Sequence, residues 1–139
     1  SGDDDATDDS AQTFRAPYPF GHKYTGYADV LGYNNLHDIY GSLKYKSGAS
    51  WTLEGALHKF LRAETADAAY NTTGAVVFAA GSSERDIGLE FDTVLDYTFD
   101  KWATMQAGWS HFFTGPFVED VAVNDDDLDF IWLSLTAKF

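Results

Sequence analysis

The chain of 139 residues contains no Cys, one Met, three Pro and few basic residues. Without Cys there are no disulfides and no thiol chemistry, which is compatible with an oxidising compartment. Nine Lys and Arg stand against 22 Asp and Glu, so the net charge is -13. These few cations cannot build a basic patch that neutralises phosphates, and the sequence therefore excludes a nucleic-acid partner.

The sequence also lacks any run of about 18 consecutive apolar residues, which excludes a transmembrane helix. Transmembrane strands remain open because they alternate apolar and polar residues, so a mean hydropathy of -0.28 is no obstacle to them. Aromatic residues make up 17% of the chain. That abundance favours strands and membrane interfaces over a helical bundle.

Signals for catalysis and for metal binding are absent as well. There is no phosphate-binding glycine loop, no nucleophile elbow and no Cys or His dyad, so we expect neither an enzyme nor a cofactor. An acidic run from Asp3 to Asp9 lacks the Gly and Glu positions of an EF-hand loop, which favours a solvated loop over a Ca²⁺ site. The four histidines show no metal-ligand spacing with one another; they are His22, His37, His58 and His111.

Alternation with a period of two predicts five strands, each with one apolar and one polar face. The third strand has the clearest pattern: Leu89, Phe91 and Leu95 share a face opposite Glu90 and Asp92. The predicted strands cover residues 37–46, 51–62, 87–99, 103–113 and 128–139.

The predicted connections alternate strictly between long and short. Residues 1–36, 63–86 and 114–127 read as long loops, with a short hairpin near 75–80, whereas 47–50 and 100–101 read as tight turns. We therefore predict an all-β, antiparallel up-and-down meander whose long loops lie at one end. Outer-membrane barrels have this asymmetry, with the short turns on the periplasmic side.

The polar faces supply the candidate site residues. In a barrel they line the water-filled lumen, where desolvation costs little. The same spacing could be read as a catalytic acid and base, but the lumen interpretation is favoured. The predicted lumen-lining residues are Lys44, Glu54, His58, Arg62, Glu90, Asp92 and Asp96.

Several separated motifs resemble, in order, the C-terminal part of alginate-export family porins of the bacterial outer membrane. They are GHKYTGYAD at 21–29, NLHD at 35–38, SERDIGLEFD at 83–92, AGWSHFFTG at 107–115 and LTAKF at 135–139. The resemblance implies a barrel of roughly 18 strands that passes hydrophilic solutes, such as the anionic polysaccharide alginate, with this chain supplying the last five strands. It also implies two partners, outer-membrane lipid and the remaining strands of the barrel or additional chains.

Alginate exporters line their pore with basic residues, but the polar faces here show no anion-selective lumen; they offer Asp38, Glu54, Glu90, Asp92 and Asp96 against Lys44, Lys46, His58 and Arg62. The sequence therefore leaves the solute open. Five strands leave two unpaired edges, so we expect the chain to belong to a larger barrel. The opening residues Ser1-Gly2-Asp3 would then lie just after a preceding strand of that barrel. The alternative is a soluble all-β carbohydrate-binding module, in which the apolar faces pack on each other and the aromatics stack on sugars.

The loop 1–36 contains many aromatics, including Phe20, Tyr24 and Tyr27, and is too apolar to extend into water. We expect residues 21–36 to fold across the mouth of the lumen and constrict it. In that arrangement His22, Lys23 and Asp29 point toward the solute path.

Overall fold

The computed structural model describes residues 1–5, 10, 12–18, 20–22, 24–48 and 50–138. Lys23 and Phe139, both used in the sequence argument, lie outside them. In chain order the elements are β1 (Leu36–Ser47), β2 (Trp51–Arg62), β3 (Ala69–Tyr70), β4 (Val76–Phe78), β5 (Asp86–Asp100), β6 (Ala103–Thr114), α1 (Pro116–Val121) and β7 (Leu128–Ala137).

Five strands form one antiparallel sheet in the order β1-β2-β5-β6-β7, so each long strand pairs with the next long strand along the chain. This confirms the predicted all-β meander. The small sheet pairs β3 with β4. The hairpin expected near 75–80 thus begins earlier than predicted, because Ala69–Tyr70 supplies its first strand.

The connection between β5 and β6 differs slightly from the prediction. Asp100 pairs with Ala103, so the tight turn contains Lys101 and Trp102 rather than residues 100–101. A register shift between Thr98 and Asp100 accounts for the difference. Phe99 is the extra residue, which has no register partner of its own in β6, and the sequence does not mark the place of such an irregularity.

The two faces of the sheet have different surroundings. We call inner the face that carries Glu90 and Asp92, and outer the face that carries Leu89 and Phe91. On the outer face large apolar side chains stay exposed, with Leu43 84% and Ile131 78% accessible. A soluble sandwich would pack these side chains against a second sheet, so the exposed outer face does not favour the carbohydrate-binding module.

The hydrophobic core lies at the long-loop end of the inner face. Phe60 of β2 and Phe112 of β6 pack there with a ring-centroid separation of 6.2 Å, and Leu31 from the N-terminal segment joins them. The buried members of this cluster are Leu31, Phe60, Ala69, Ile87, Phe112, Phe117 and Val118. The core therefore fixes the long loops to one end of the sheet.

Helix α1 lies within residues 114–127, which the sequence predicted as a long loop. Pro116 occupies its first turn, where a missing N–H costs nothing, and Phe117 and Val118 are buried against the core. With only six residues, it owes its stability to this packing rather than to propensity. Among the residues that the structure describes, no helix has the length and apolar character needed to cross a membrane.

Candidate functional site

A segment of the N-terminal region lies on the inner face of the sheet. It comprises residues 20–22 and 24–31, and we call it the strap. The ring of Tyr27 stacks on the indole of Trp132 in β7, with centroids 5.3 Å apart and planes 17° from parallel. The backbone N–H of Ala28 donates to Glu90 Oε1 in β5 at 2.8 Å. The strap is thus attached to two different strands of the sheet.

Gly26 allows the strap to approach the sheet closely. Its φ of +84° belongs to the left-handed region that favours glycine, and a Cβ at this position would lie 2.3 Å from Glu90 Oε1. A side chain here would clash with the carboxylate and strain the backbone. The sequence alone reveals neither the positive φ of Gly26 nor its close approach to Glu90.

Gly108 has a similar role beneath Trp132. The two residues are register partners in β6 and β7, and a Cβ on Gly108 would lie 2.4 Å from the indole ring. The missing side chain leaves room for the indole to lie against the sheet, where Tyr27 stacks on it. This aromatic pair could not be predicted from the sequence, because the register that places Gly108 opposite Trp132 cannot be read from one strand alone.

Glu90 and Asp92 lie side by side under the strap and are 0% and 1% exposed. Ser110 donates its hydroxyl hydrogen to Asp92 Oδ1 at 2.5 Å. Within the described part of the chain, Glu90 Oε2 and Asp92 Oδ2 have no hydrogen-bond partner. The low desolvation cost expected from the sequence does not hold for these two carboxylates, because both are buried.

His58 lies between two carboxylates. Its Nδ1 is 2.9 Å from Asp38 Oδ2, and its Nε2 is 3.7 Å from Asp92 Oδ2. Tyr40 covers one side of the imidazole with ring centroids 4.6 Å apart, and Phe60 stacks at 5.5 Å. His58 is therefore buried and held by neighbours on three strands.

Three further predicted residues form polar pairs on the less covered part of the inner face. Lys44 Nζ is 2.7 Å from Glu54 Oε2, and Lys44 remains about half exposed. Asp96 Oδ1 accepts a hydrogen bond of 2.6 Å from the side-chain amide of Gln106. These groups are closer to water than Glu90 and Asp92.

Arg62, at the end of β2, binds the long loops instead of a neighbouring acid. Its guanidinium is fully buried and lies 3.7 Å from the ring centroid of Phe117 in α1. Its Nε and both terminal nitrogens donate to the backbone carbonyl oxygens of Thr65, Asp67, Ser82 and Glu84. The geometry makes Arg62 a clamp for the loops at this end of the sheet.

The strap also positions His22 and Asp29. His22 Nδ1 is 3.0 Å from Asp29 Oδ2, and both residues have positive φ, 48° and 57°. The imidazole meets the rings of Tyr27 and Trp132 edge-on, at 5.0 and 4.9 Å. Lys23, predicted with them, lies outside the described residues.

Tyr27 is electrostatically coupled to the acids below the strap. Burial raises its pKa to about 12, and the nearby carboxylates of Glu54, Asp96 and Asp92 add to this effect because they disfavour a phenolate. At neutral pH the phenol is therefore protonated. Its ring can stack on Trp132 without adding charge to an acidic region.

Two buried polar residues, Asp67 and Asn35, attach the N-terminal region to the loops through hydrogen bonds. Asp67 accepts hydrogen bonds from the Asp3 backbone and from the hydroxyls of Thr13 and Tyr70. Although burial opposes it, these bonds hold the pKa of Asp67 below its usual value. Asn35 is fully buried and bonds the backbone of Glu64 through both ends of its amide.

Within the described ranges, no group of three or more His, Cys, Asp or Glu side chains is arranged so that it could hold a metal ion. The arrangement can act on a solute through its shape and its charge. It places a polar, largely acidic surface behind a fixed strap, with aromatic rings beside it.

These features together define a class of protein. A meander of long antiparallel strands with an apolar, exposed outer face and a polar inner face is a segment of a transmembrane β-barrel. A family model described as alginate export matches residues 1–130, and the chain belongs to that family. No curated protein matches the chain. The family is one of membrane export proteins rather than enzymes, which gives the chain an export or porin-like role in general terms.

Proposed function

We propose that the chain contributes five adjacent strands and a pore-narrowing strap to a channel of the bacterial outer membrane that passes hydrophilic solutes passively. The observation that carries this proposal is the attachment of the strap to the inner face through Tyr27 and Ala28. A segment fixed there in a closed barrel occupies part of the lumen. The solute path then runs between the strap and the strands that face this sheet.

The outer face and the sheet edges support the membrane part of the proposal. Exposed side chains such as Leu133 and Leu135 suit contact with outer-membrane lipid. In the sheet order of the described strands, β1 and β7 each have one neighbour. Unpaired strand edges are not tolerated in hydrocarbon, so further strands or additional chains complete the barrel in this proposal.

The predicted site residues take two roles in the proposal. Lys44, Glu54 and Asp96 line the water-filled path, since they lie on the less covered part of the inner face. The others hold the architecture: Glu90, Asp92 and His58 support the strap, and Arg62 clamps the loops. His22, Lys23 and Asp29 are proposed to face the solute on the strap itself.

The family makes an anionic polysaccharide such as alginate one candidate solute. The less covered part of the inner face carries Asp38, Glu54 and Asp96 together with two lysines, Lys44, whose charge Glu54 already neutralises, and Lys46. A polyanion would therefore need its basic contacts elsewhere in the barrel. The proposal for this sector is accordingly limited to hydrophilic solutes.

Single-channel conductance in planar bilayers tests the role of the strap. The intact parent barrel is compared with a variant that lacks residues 10–33 and with a control that lacks residues 122–126, a loop segment next to α1. We expect a larger conductance for the first deletion and an unchanged conductance for the control. If the first deletion leaves conductance unchanged, the strap lies outside the permeation path and the proposed constriction is wrong.

A further inference from the structure

A cleft of about 290 Å³ opens beside the strap and is lined by Tyr24, Asp38, Tyr40 and His58. Tyr24 comes from the strap and Tyr40 from β1, and their side chains are 56% and 54% exposed. Two aromatic rings from different elements thus face the same open space. The volume is near the lower limit of small-molecule sites.

The lower part of the cleft carries a negative charge. Asp38 directs its carboxylate at His58, which is 2.9 Å away, and Asp92 approaches the other imidazole nitrogen at 3.7 Å. Two carboxylates therefore share one histidine. The Asp38 carboxylate stays partly open to solvent, with its side chain 17% exposed.

A third phenol lies close to this group. Burial raises the pKa of Tyr33, and the neighbouring Tyr24 and Asp38 raise it further. Tyr33 therefore lies within electrostatic range of both cleft residues. As a neutral phenol it does not offset the negative charge.

On this face of β1, Lys44 is paired with Glu54, and Lys46 lies two residues farther along the strand toward the short turn. The described residues that line the cleft therefore combine exposed tyrosine faces with a carboxylate and include no ammonium group. Aromatic faces attract cations through their quadrupole, and a carboxylate adds direct charge attraction. An anionic ligand would meet repulsion here, and a neutral one would use only the rings.

We propose that this cleft is a binding subsite for solutes that carry an ammonium group, with Tyr24 and Tyr40 contacting the cation and Asp38 neutralising it. The inference rests on the proposed function for the position of the cleft on a solute path, but its chemistry stands on the cleft alone. It names a solute class that the family assignment does not supply.

Isothermal titration calorimetry of the full-length barrel in detergent tests the chemistry. The probes are tetramethylammonium for the cation, glucose for a neutral sugar and galacturonate for an anionic one. We expect tetramethylammonium to bind more tightly than either sugar. Tyr40→Leu and Tyr24→Leu should each weaken its binding about five- to tenfold, in keeping with the strength of a cation–π contact.

Asp38→Asn should weaken binding of the cation as well, without improving binding of glucose. The matched control is Tyr45→Leu, which removes an exposed tyrosine of the same strand on the outer face and should leave the affinity unchanged. Absence of tetramethylammonium binding to the wild type, or tighter binding of galacturonate, would overturn the proposal. Equal losses in Tyr45→Leu and Tyr40→Leu would overturn it too.

Planar-bilayer recordings on the same protein separate this proposal from the channel proposal. If the barrel conducts ions but does not bind tetramethylammonium, the channel proposal stands and the subsite proposal is wrong. If the barrel binds tetramethylammonium but does not conduct ions, the subsite proposal stands and the channel proposal is wrong. If both hold, tetramethylammonium should reduce the potassium current, and Tyr40→Leu should relieve that block.

Discussion

Tyr27 and Trp132 stack almost in parallel, with ring centroids 5.3 Å apart, and join the N-terminal segment to the last strand of the sheet. Tyr27 is 6% exposed, and Gly108 leaves the space in which the indole lies. The pair connects residues from opposite ends of the chain. The strap is therefore packed against the sheet and is not a freely moving loop.

Tyr27→Ala should loosen the strap. It removes the stack and leaves a cavity over Trp132, at a cost of about 3 to 5 kcal/mol in local stability if the region does not collapse. Hydrogen exchange measured by mass spectrometry should show faster exchange for peptides covering 24–31, including the Ala28 amide. Tyr18→Ala, at a residue that is 80% exposed, is the control and should leave those rates unchanged.

Gly26→Ala should displace the strap from Glu90 by steric overlap. Gly74 is the matched control because its φ of +81° is nearly the same as the +84° of Gly26, yet nothing lies closer than 3.8 Å to a Cβ there. Backbone strain is thus similar in the two variants. We expect Gly26→Ala to cost about 1 to 3 kcal/mol more than Gly74→Ala, measured by urea unfolding in detergent. Equal losses would show that the close approach to Glu90 is not important.

Much of the sheet could be predicted from the sequence, because strand alternation is a local property. The spacing of Leu89, Phe91 and Leu95 fixed which face of β5 is apolar, and the predicted strands lie within a few residues of the observed ones. Helix α1 was missed because a single turn has too few residues for a helical period to show. The only signal was Gly115-Pro116 followed by buried Phe117 and Val118.

The candidate site was less predictable, because its character depends on contacts between distant parts of the chain. Alternation places Glu90 on the polar face, but its burial results from Gly26 and Ala28 of the strap. Alternation also places Arg62 on the polar face. Its guanidinium nevertheless donates its hydrogen bonds to backbone carbonyl oxygens of the loops around the end of β2. Single-sequence patterns contain no information on such docking.

Leu133→Arg should destabilise the protein in a bilayer. Leu133 is exposed on the outer face near the middle of β7, where an arginine costs roughly 2 to 4 kcal/mol in lipid. Ser134→Arg, the next residue, points to the inner face and should cost much less. The measurement is reversible urea unfolding of the parent barrel in phospholipid vesicles. Comparable losses at the two positions would contradict the assignment of the outer face to lipid.

Asp67 should make the attachment of the N-terminal region depend on pH. Its pKa is depressed in the folded state by the bonds from Thr13, Tyr70 and backbone amides, although burial acts in the opposite direction. The stabilisation is therefore fully present above the unfolded-state pKa of about 4 and is lost as the pH falls through the lower folded-state pKa. Hydrogen exchange of residues 1–5 and 12–14, corrected for intrinsic rates, should reveal the loss of protection below about pH 4.

Asp67→Asn separates this effect from general acid unfolding. The variant should lose about 1 to 3 kcal/mol at neutral pH, since charge-assisted bonds to Thr13 and Tyr70 are weakened, and its protection should vary little between pH 5 and pH 3. Asp126→Asn, at an exposed residue, should behave like the wild type. An unchanged pH profile in Asp67→Asn would assign the effect to another group.

Arg62→Lys should disorder the loops at the long-loop end even though it preserves the charge. The guanidinium donates through three nitrogens to carbonyl oxygens of two separate loop segments and lies over Phe117, whereas an ammonium cannot reproduce this fork. Losing several buried hydrogen bonds should cost roughly 2 to 4 kcal/mol. We expect faster hydrogen exchange for residues 63–68 and 82–85, with the exposed Arg15→Lys as control. Since the core residues Phe60 and Phe112 keep their contacts, exchange within β5 and β6 should stay slow; a uniform increase across the sheet would show that Arg62 supports the whole fold instead of clamping its loops.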